Sequence, residues 1–277
     1  MFVRTVDRLA GSDKEVNWQN GDLWLRAVRL VTKTDGAGFS LADVWLSAGW
    51  EIDCHYKHHI EASIILSGNA TVTEHATGKS WEVGAGDVYV VGPRDKHHVS
   101  TKTELHGVTV FNPALLGTET PDEDGAYPPS GDVPPAWQGE SGRTMFVKRL
   151  GDAQAIGVRG TGAMAYRYLT QADRCGFTVS TPRSSEGHAK ELWYQNHVEA
   201  NYVIDGRGSV QDLNTSEKWD LAPGSMYFVG PRDRHLMSFN SPFSLISVFN
   251  PPLVGNETHD DLGGYPPTGP LPEAWRP

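Results

Sequence analysis

The chain has 277 residues, with 24 Lys and Arg against 34 Asp and Glu, a formal charge of −10. That acidic balance, with no basic cluster, argues against nucleic acid or an anionic membrane as the main partner. No apolar run approaches the roughly 20 residues of a membrane-spanning helix, and the first residues carry no signal-peptide stretch, so a cytoplasmic protein is expected.

In chain order the pattern is strand and turn. ASIILSGNATVTEH (62–75) is a β-rich run broken at Ser67-Gly68. VYVVGPRD (88–95) is a strand stopped by Gly-Pro, and HGVTVFNP (106–113) alternates and ends at Asn-Pro. The same order returns as NYVIDGRGSVQDL (201–213), SMYFVGPRD (225–233) and LISVFNPP (245–252). The only plausible helix is short and lies away from these motifs. Gly 30 and Pro 18, with nine each of Trp, Tyr and Phe, also favour a turn-rich β protein over a helical bundle. Cys54 and Cys175 are the only cysteines, which excludes a disulfide framework or a Cys-rich zinc site.

The recurrence is a repeat of a whole domain. GPRDKHH (92–98) returns as GPRDRHL (230–236), VFNPALLGTET (110–120) as VFNPPLVGNET (248–258), and AYPPSGDVPPAW (126–137) as GYPPTGPLPEAW (264–275), each offset by 138 positions. From 38/176 to 137/275 the halves align without a gap. The polar linker QGESGRT (138–144) suggests domains at 1–138 and 145–277, the second opening with MFVKRL as the first does with MFVRTV. Short strands at close spacing, in about 135 residues per half, suit a small jelly-roll β-barrel. GPRD reads as a tight turn with its Asp as cap, and the YPP…AW tail as an apolar strap.

Candidate chemistry follows from the repeated spacings. Glu61 precedes Gly68 by seven, Gly86 precedes His97 by eleven, and Tyr89 precedes His97 by eight. Glu199, Gly206, Gly224, Tyr227 and His235 repeat all three spacings. The first two resemble parts of the cupin signatures, G-x5-H-x-H-x3–4-E-x6-G and G-x5-P-x-G-x2-H. A carboxylate and an imidazole on neighbouring strands facing a lumen can share a metal. The signature's histidine pair is replaced by His55 and Lys57, and by Trp193 and Gln195. His55 alone keeps a ligand position. Tyr89 and Tyr227 would complete each set, and a phenolate, being a hard oxygen donor, suits iron better than zinc.

The stretches WYQNHVEANYVIDGRG (193–208), PGSMYFVGPRDRH (223–235) and VFNPPLVGNETHDD (248–261) closely resemble the L-ectoine synthase family, iron-dependent cupins of about half this length. The resemblance covers each half from start to end. It implies an all-β bicupin with one Fe(II) per barrel, held by Glu61, Tyr89 and His97 and by Glu199, Tyr227 and His235, in a monomer with pseudo-dimeric barrels or a homodimer. It also implies Tyr56, His59, Tyr194, His197, Glu257 and His259 as catalytic residues, and Arg29, Arg167, Phe111, Phe249, Glu119 and Trp24 as substrate-binding ones, the arginines as carboxylate clamps. The implied reaction is a cyclodehydration, a carbon–oxygen lyase activity on N-γ-acetyl-diaminobutyrate or a related small amino acid derivative. The chain departs from the family where His259 faces Pro121 in the first half, and where a substrate-facing threonine becomes Val44 and Pro182. Two alternatives stay open: an iron-dependent oxygenase or lyase on a different small polar acid, and a non-catalytic metal or small-molecule binder.

Overall fold

In the computed structural model, which describes residues 1–159 and 161–276, the chain divides into two compact units. One is Leu9–Gly151; the other is Met1–Arg8 together with Asp152–Pro277. They are called here the N-terminal and C-terminal barrels.

The N-terminal barrel pairs a seven-stranded sheet, ordered 146–148, 88–91, 60–67, 105–112, 40–46, 23–31 and 15–20, with a four-stranded sheet of 51–54, 97–101, 69–74 and 80–84. The C-terminal barrel repeats this order with strands 2–5, 225–229, 198–205, 243–250, 178–184, 164–169 and 154–157, and with 188–192, 235–239, 208–212 and 218–221. The core of each barrel lies between its two sheets. Leu25, Leu46, Ile65 and Val91 of the larger N-terminal sheet meet Val72, Val83 and Val99 of the smaller. Val203, Val229 and Leu245 meet Val210, Leu221 and Met237 in the C-terminal barrel. Alternation aims the side chains: in His97–Thr101, residues 97, 99 and 101 are buried and the two between are half-buried.

The division at 138 and 145 does not match these units. Phe2–Thr5 pairs antiparallel with Ser225–Val229, placing Val3 opposite Tyr227. Phe146–Lys148 pairs with Val88–Val91, placing Val147 opposite Tyr89. The opening strand of each repeat therefore completes the sheet edge built by the other repeat. A strand of three or four residues has no core of its own, so it belongs to whichever unpaired edge it covers.

The short helix is Val6–Leu9. Both GPRD segments are turns closed by the aspartate, which accepts from Gly92 N–H and from Gly230 N–H at 2.8 Å each. The AW tails are straps: a Cβ on Gly92 or Gly230 would sit 2.3 Å from the ring of Trp137 or Trp275. These glycines are what let the tryptophans lie flat on the turn. Among the described residues no helix is long and apolar enough to cross a membrane.

Candidate active site

Glu61, Tyr89 and His97 line the N-terminal cavity; Glu199 and Tyr227 line the C-terminal one, with the His235 ring 6.0 Å from that of Tyr227. Glu61 and Tyr89 come from paired strands of the larger sheet, where Ser63 stands opposite Tyr89. His97 comes from the smaller sheet, opposite Cys54. The sequence reading put carboxylate and imidazole on neighbouring strands; the neighbours are instead carboxylate and phenol, and the imidazole belongs to the other sheet. Glu199, Asn201, Tyr227 and His235 repeat this arrangement.

The hydrogen bonds leave donor atoms unpartnered. His97 Nδ1 donates to Asp95 O at 2.9 Å, and His235 Nδ1 donates to Asp233 O at 3.1 Å. A carbonyl only accepts, so each Nδ1 carries the proton and each Nε2 is left with its lone pair. His235 Nε2, Glu61 Oε2 and Glu199 Oε2 are buried with no hydrogen-bond partner among the described residues. Glu61 Oε1 accepts from Ser63 Oγ at 2.6 Å, and the Tyr227 hydroxyl reaches only the weak acceptor Met237 Sδ, at 3.4 Å. Burial pushes the carboxyl of Glu61 up to about 7 and that of Glu199 up to about 8. It lowers His97 to about 4 and raises Tyr89 and Tyr227 well above the ordinary phenol value. Such groups lack a counter-charge, and a divalent cation would supply one. Among the described residues no three His, Cys, Asp or Glu side chains gather as a metal set, so a metal here needs the tyrosine as third donor. The residues present fit one.

The surrounding wall is aromatic. Tyr56 stacks on Tyr127 with ring centroids 5.8 Å apart and meets Phe111 edge-on at 5.1 Å. Tyr194, Phe249 and Tyr265 form the same wall, with Tyr194 at 5.3 Å from Phe249 and 5.5 Å from Tyr265. Tyr127 and Tyr265 come from the YPP straps, which therefore reach into the site. Their recurrence in both halves was the available signal. The cavity volume is about 110 Å³ in the N-terminal barrel and about 50 Å³ in the C-terminal one.

Other candidates fall in different places. Arg29 and Arg167 line the cavities, but the carboxylate they hold is the chain's own. Arg167 donates to Glu257 Oε2 at 2.9 Å and to Glu257 O at 2.8 Å, and Arg29 donates to Glu119 O at 2.7 Å. Glu119 and Glu257 also accept from the backbone N–H groups of Gly117 and Gly255, so they lock a loop instead of facing the lumen. His59 and His197 are fully buried behind the wall, bonded to Ser130 Oγ at 3.0 Å and Thr268 Oγ1 at 2.9 Å. Trp24 lies outside the cavity, which Trp18 of the paired strand lines. His55 turns to Pro93 O at 3.0 Å and does not join the donor set.

Two lining residues had no sequence signal of their own. Cys54 lines the N-terminal cavity opposite the Tyr56 hydroxyl, and burial pushes its thiol up to about 12, which makes it inert. Lys190 lines the C-terminal cavity, 3.1 Å from His259 Nδ1. His259 Nε2 in turn meets the Tyr194 hydroxyl at 2.9 Å. The equivalent N-terminal positions are Ile52 and Pro121, both lining that cavity.

Among solved structures the chain is similar to oxalate decarboxylase of Bacillus subtilis, at 16% identity and a TM-score of 0.63 over 90% of this chain and 77% of that one. It is also similar to a formate complex of Lactobacillus farciminis oxalate decarboxylase, at 16% identity and a TM-score of 0.64 over 92% and 87%. These likenesses show the fold, and the protein is a bicupin. The family model of ectoine synthase matches residues 1–131 and again residues 145–269; the chain belongs to the ectoine synthase family. L-ectoine synthase of Oceanobacillus iheyensis is 41% identical over 128 residues, 46% of this chain and 97% of that protein. L-ectoine synthase of Mycolicibacterium gilvum is 37% identical over 130 residues, 47% and 97% respectively. Each relative is one repeat long, and the family makes this chain a lyase of the hydro-lyase class.

Proposed function

We propose that the protein is an Fe(II)-dependent cyclodehydratase that closes N-γ-acetyl-diaminobutyrate, or a close relative of it, into a six-membered ring. The observation that carries this reading is the pair of buried Glu/Tyr/His sets with unpartnered oxygen and nitrogen atoms. Glu61, Tyr89 and His97, and Glu199, Tyr227 and His235, would each hold one iron. When bound, it supplies a Lewis acid at the substrate's amide oxygen.

The chain's own residues do the rest. The substrate amine attacks the acetyl carbonyl carbon, a carbon–nitrogen bond forms, and the former carbonyl oxygen leaves as water. The aromatic wall of Tyr194, Phe249 and Tyr265 holds the substrate folded and excludes water, which favours ring closure over hydrolysis. The amine must give up its protons. In the C-terminal barrel His259 Nδ1 accepts from Lys190, so its Nε2–H donates to the Tyr194 hydroxyl oxygen and leaves the hydroxyl proton to be given to the departing oxygen. In the N-terminal barrel Tyr56 has only the Cys54 thiol at 3.5 Å, with Pro121 where the imidazole would be. The C-terminal barrel is thus the better fitted for this reaction.

The larger, more apolar N-terminal cavity favours a second reading for that barrel alone: a lyase or oxygenase acting on a less polar acid. The test is twofold. Anaerobic iron loading followed by metal analysis should return up to two irons per chain. Incubation with the acetylated diaminobutyrate should form ectoine, with Glu199→Ala costing more than Glu61→Ala. No bound transition metal, or a larger loss at Glu61, would overturn the assignment.

A further inference from the structure

We propose that Lys190 binds the substrate carboxylate in the C-terminal barrel and that the two barrels therefore hold different ligands; this rests on the lyase reading above and names the group that selects its substrate.

Part of the two cavity walls is the same residue by residue. Arg29, Tyr56, Glu61, Tyr89, Phe111 and Tyr127 stand where Arg167, Tyr194, Glu199, Tyr227, Phe249 and Tyr265 stand. Among the positions that differ, three change from apolar to polar or cationic. Trp50, Ile52 and Pro121 of the first repeat are replaced by His188, Lys190 and His259 in the second. His188 and Lys190 are alternate residues of one strand, His188–Leu192, so both project to the same face. Both line the cavity, together with His259.

The local hydrogen bonding shows a site short of one anion. Lys190 Nζ donates to Arg159 O at 2.7 Å and to His259 Nδ1 at 3.1 Å. An ammonium has three protons to donate, and among the described residues no carboxylate approaches this one. Burial, then the nearby Arg159, lowers the proton affinity of Lys190; an anion beside it would do the opposite. His188 Nδ1 is buried on the same wall with no hydrogen-bond partner among the described residues. Arg167, the other cation of this pocket, already holds Glu257. A carboxylate entering the C-terminal cavity therefore finds its open cationic donor at Lys190. In the N-terminal cavity the same carboxylate would be desolvated against Ile52 and Pro121 with no cation at those positions, and Arg29 there is engaged with Glu119.

The probe is 4-acetamidobutyrate, which keeps the carboxylate and the acetamide but lacks the amine that ring closure needs, compared with its neutral carboxamide. Calorimetry on the full-length, iron-loaded chain should show one site per chain that prefers the carboxylate at least tenfold. Lys190→Ile should erase that preference and leave carboxamide affinity unchanged, which also reports that the barrel is folded. Lys190→Arg should retain the preference, and Ile52→Lys should add a second site. Two equal sites in the unaltered protein, no binding of the carboxylate, or a preference untouched by Lys190→Ile would overturn the proposal. Because the probe cannot react, the two readings fail separately. A Lys190-dependent preference without ectoine formation would discard the reaction and keep the subsite. Ectoine formation with no such preference would discard the subsite alone.

Discussion

His259 joins Lys190 to Tyr194 in the C-terminal pocket, and its own titration is measurable. Burial, with Lys190 and Arg167 nearby, lowers its pKa from 6.5 to about 3. The groups facing it are Tyr194, Lys190 and the stacked ring of Tyr265 at 4.5 Å. In the unfolded chain the imidazole binds a proton below pH 6.5; in the folded chain it does so only near pH 3. Unfolding then takes up a proton between these values, so stability falls as pH falls below 6.5 and the contribution is intact above it. At pH 5 the loss is about 2 kcal/mol. Urea unfolding at pH 7.5 and pH 5 should show that much more loss in the unaltered protein than in His259→Asn. Equal losses would show that the imidazole is not neutral when folded. At this scale the Glu/Tyr/His sets were legible because the same spacing occurs twice. Lys190 was not, because a residue without a counterpart in the other repeat carries no pattern; only the wall around it gives it meaning.

Turns decide how strands of each barrel meet, and two glycines in the N-terminal barrel show it by contrast. Gly68 has φ +83°, and a Cβ there would lie 2.0 Å from Glu104 O. Gly86 has φ +89° but faces open space. Ala at Gly86 should cost about 1–2 kcal/mol, the ordinary penalty of a side chain at positive φ. Ala at Gly68 should cost clearly more, since backbone must also move. The two urea midpoints settle it: equal shifts would mean that the loop at Glu104 yields freely. The turns were readable in advance because Gly, Pro and Asp impose their geometry locally. The pairing of the opening strands was not readable. MFVRTV and MFVKRL are nearly the same sequence, and nothing local in either says which repeat's edge it will cover.

For the whole molecule, the units found here set where the chain can be cut. A fragment of residues 1–138 would carry residues 1–8 with no edge to cover. It would also lack Met145, buried in the N-terminal core, and Val147, packed against that core. A fragment of residues 9–151 keeps both. Losing one buried methionine alone costs about 2–5 kcal/mol, so the 9–151 fragment should unfold cooperatively at a distinctly higher urea concentration. A 1–138 fragment of equal or greater stability would place the boundary back at the linker.

The exchange of opening strands also bears on heredity. Val3 is encoded at the start of the first repeat, yet it lies across from Tyr227 in the second repeat's site. A mutation there is inherited with one repeat and expressed in the other. Recombination that swapped repeats at the sequence boundary would hand each barrel a foreign edge beside its tyrosine, whereas crossovers after Arg8 and after Gly151 would move each barrel intact. Once the opening strands were exchanged, the two halves could diverge in their pockets while remaining bound to evolve as one gene.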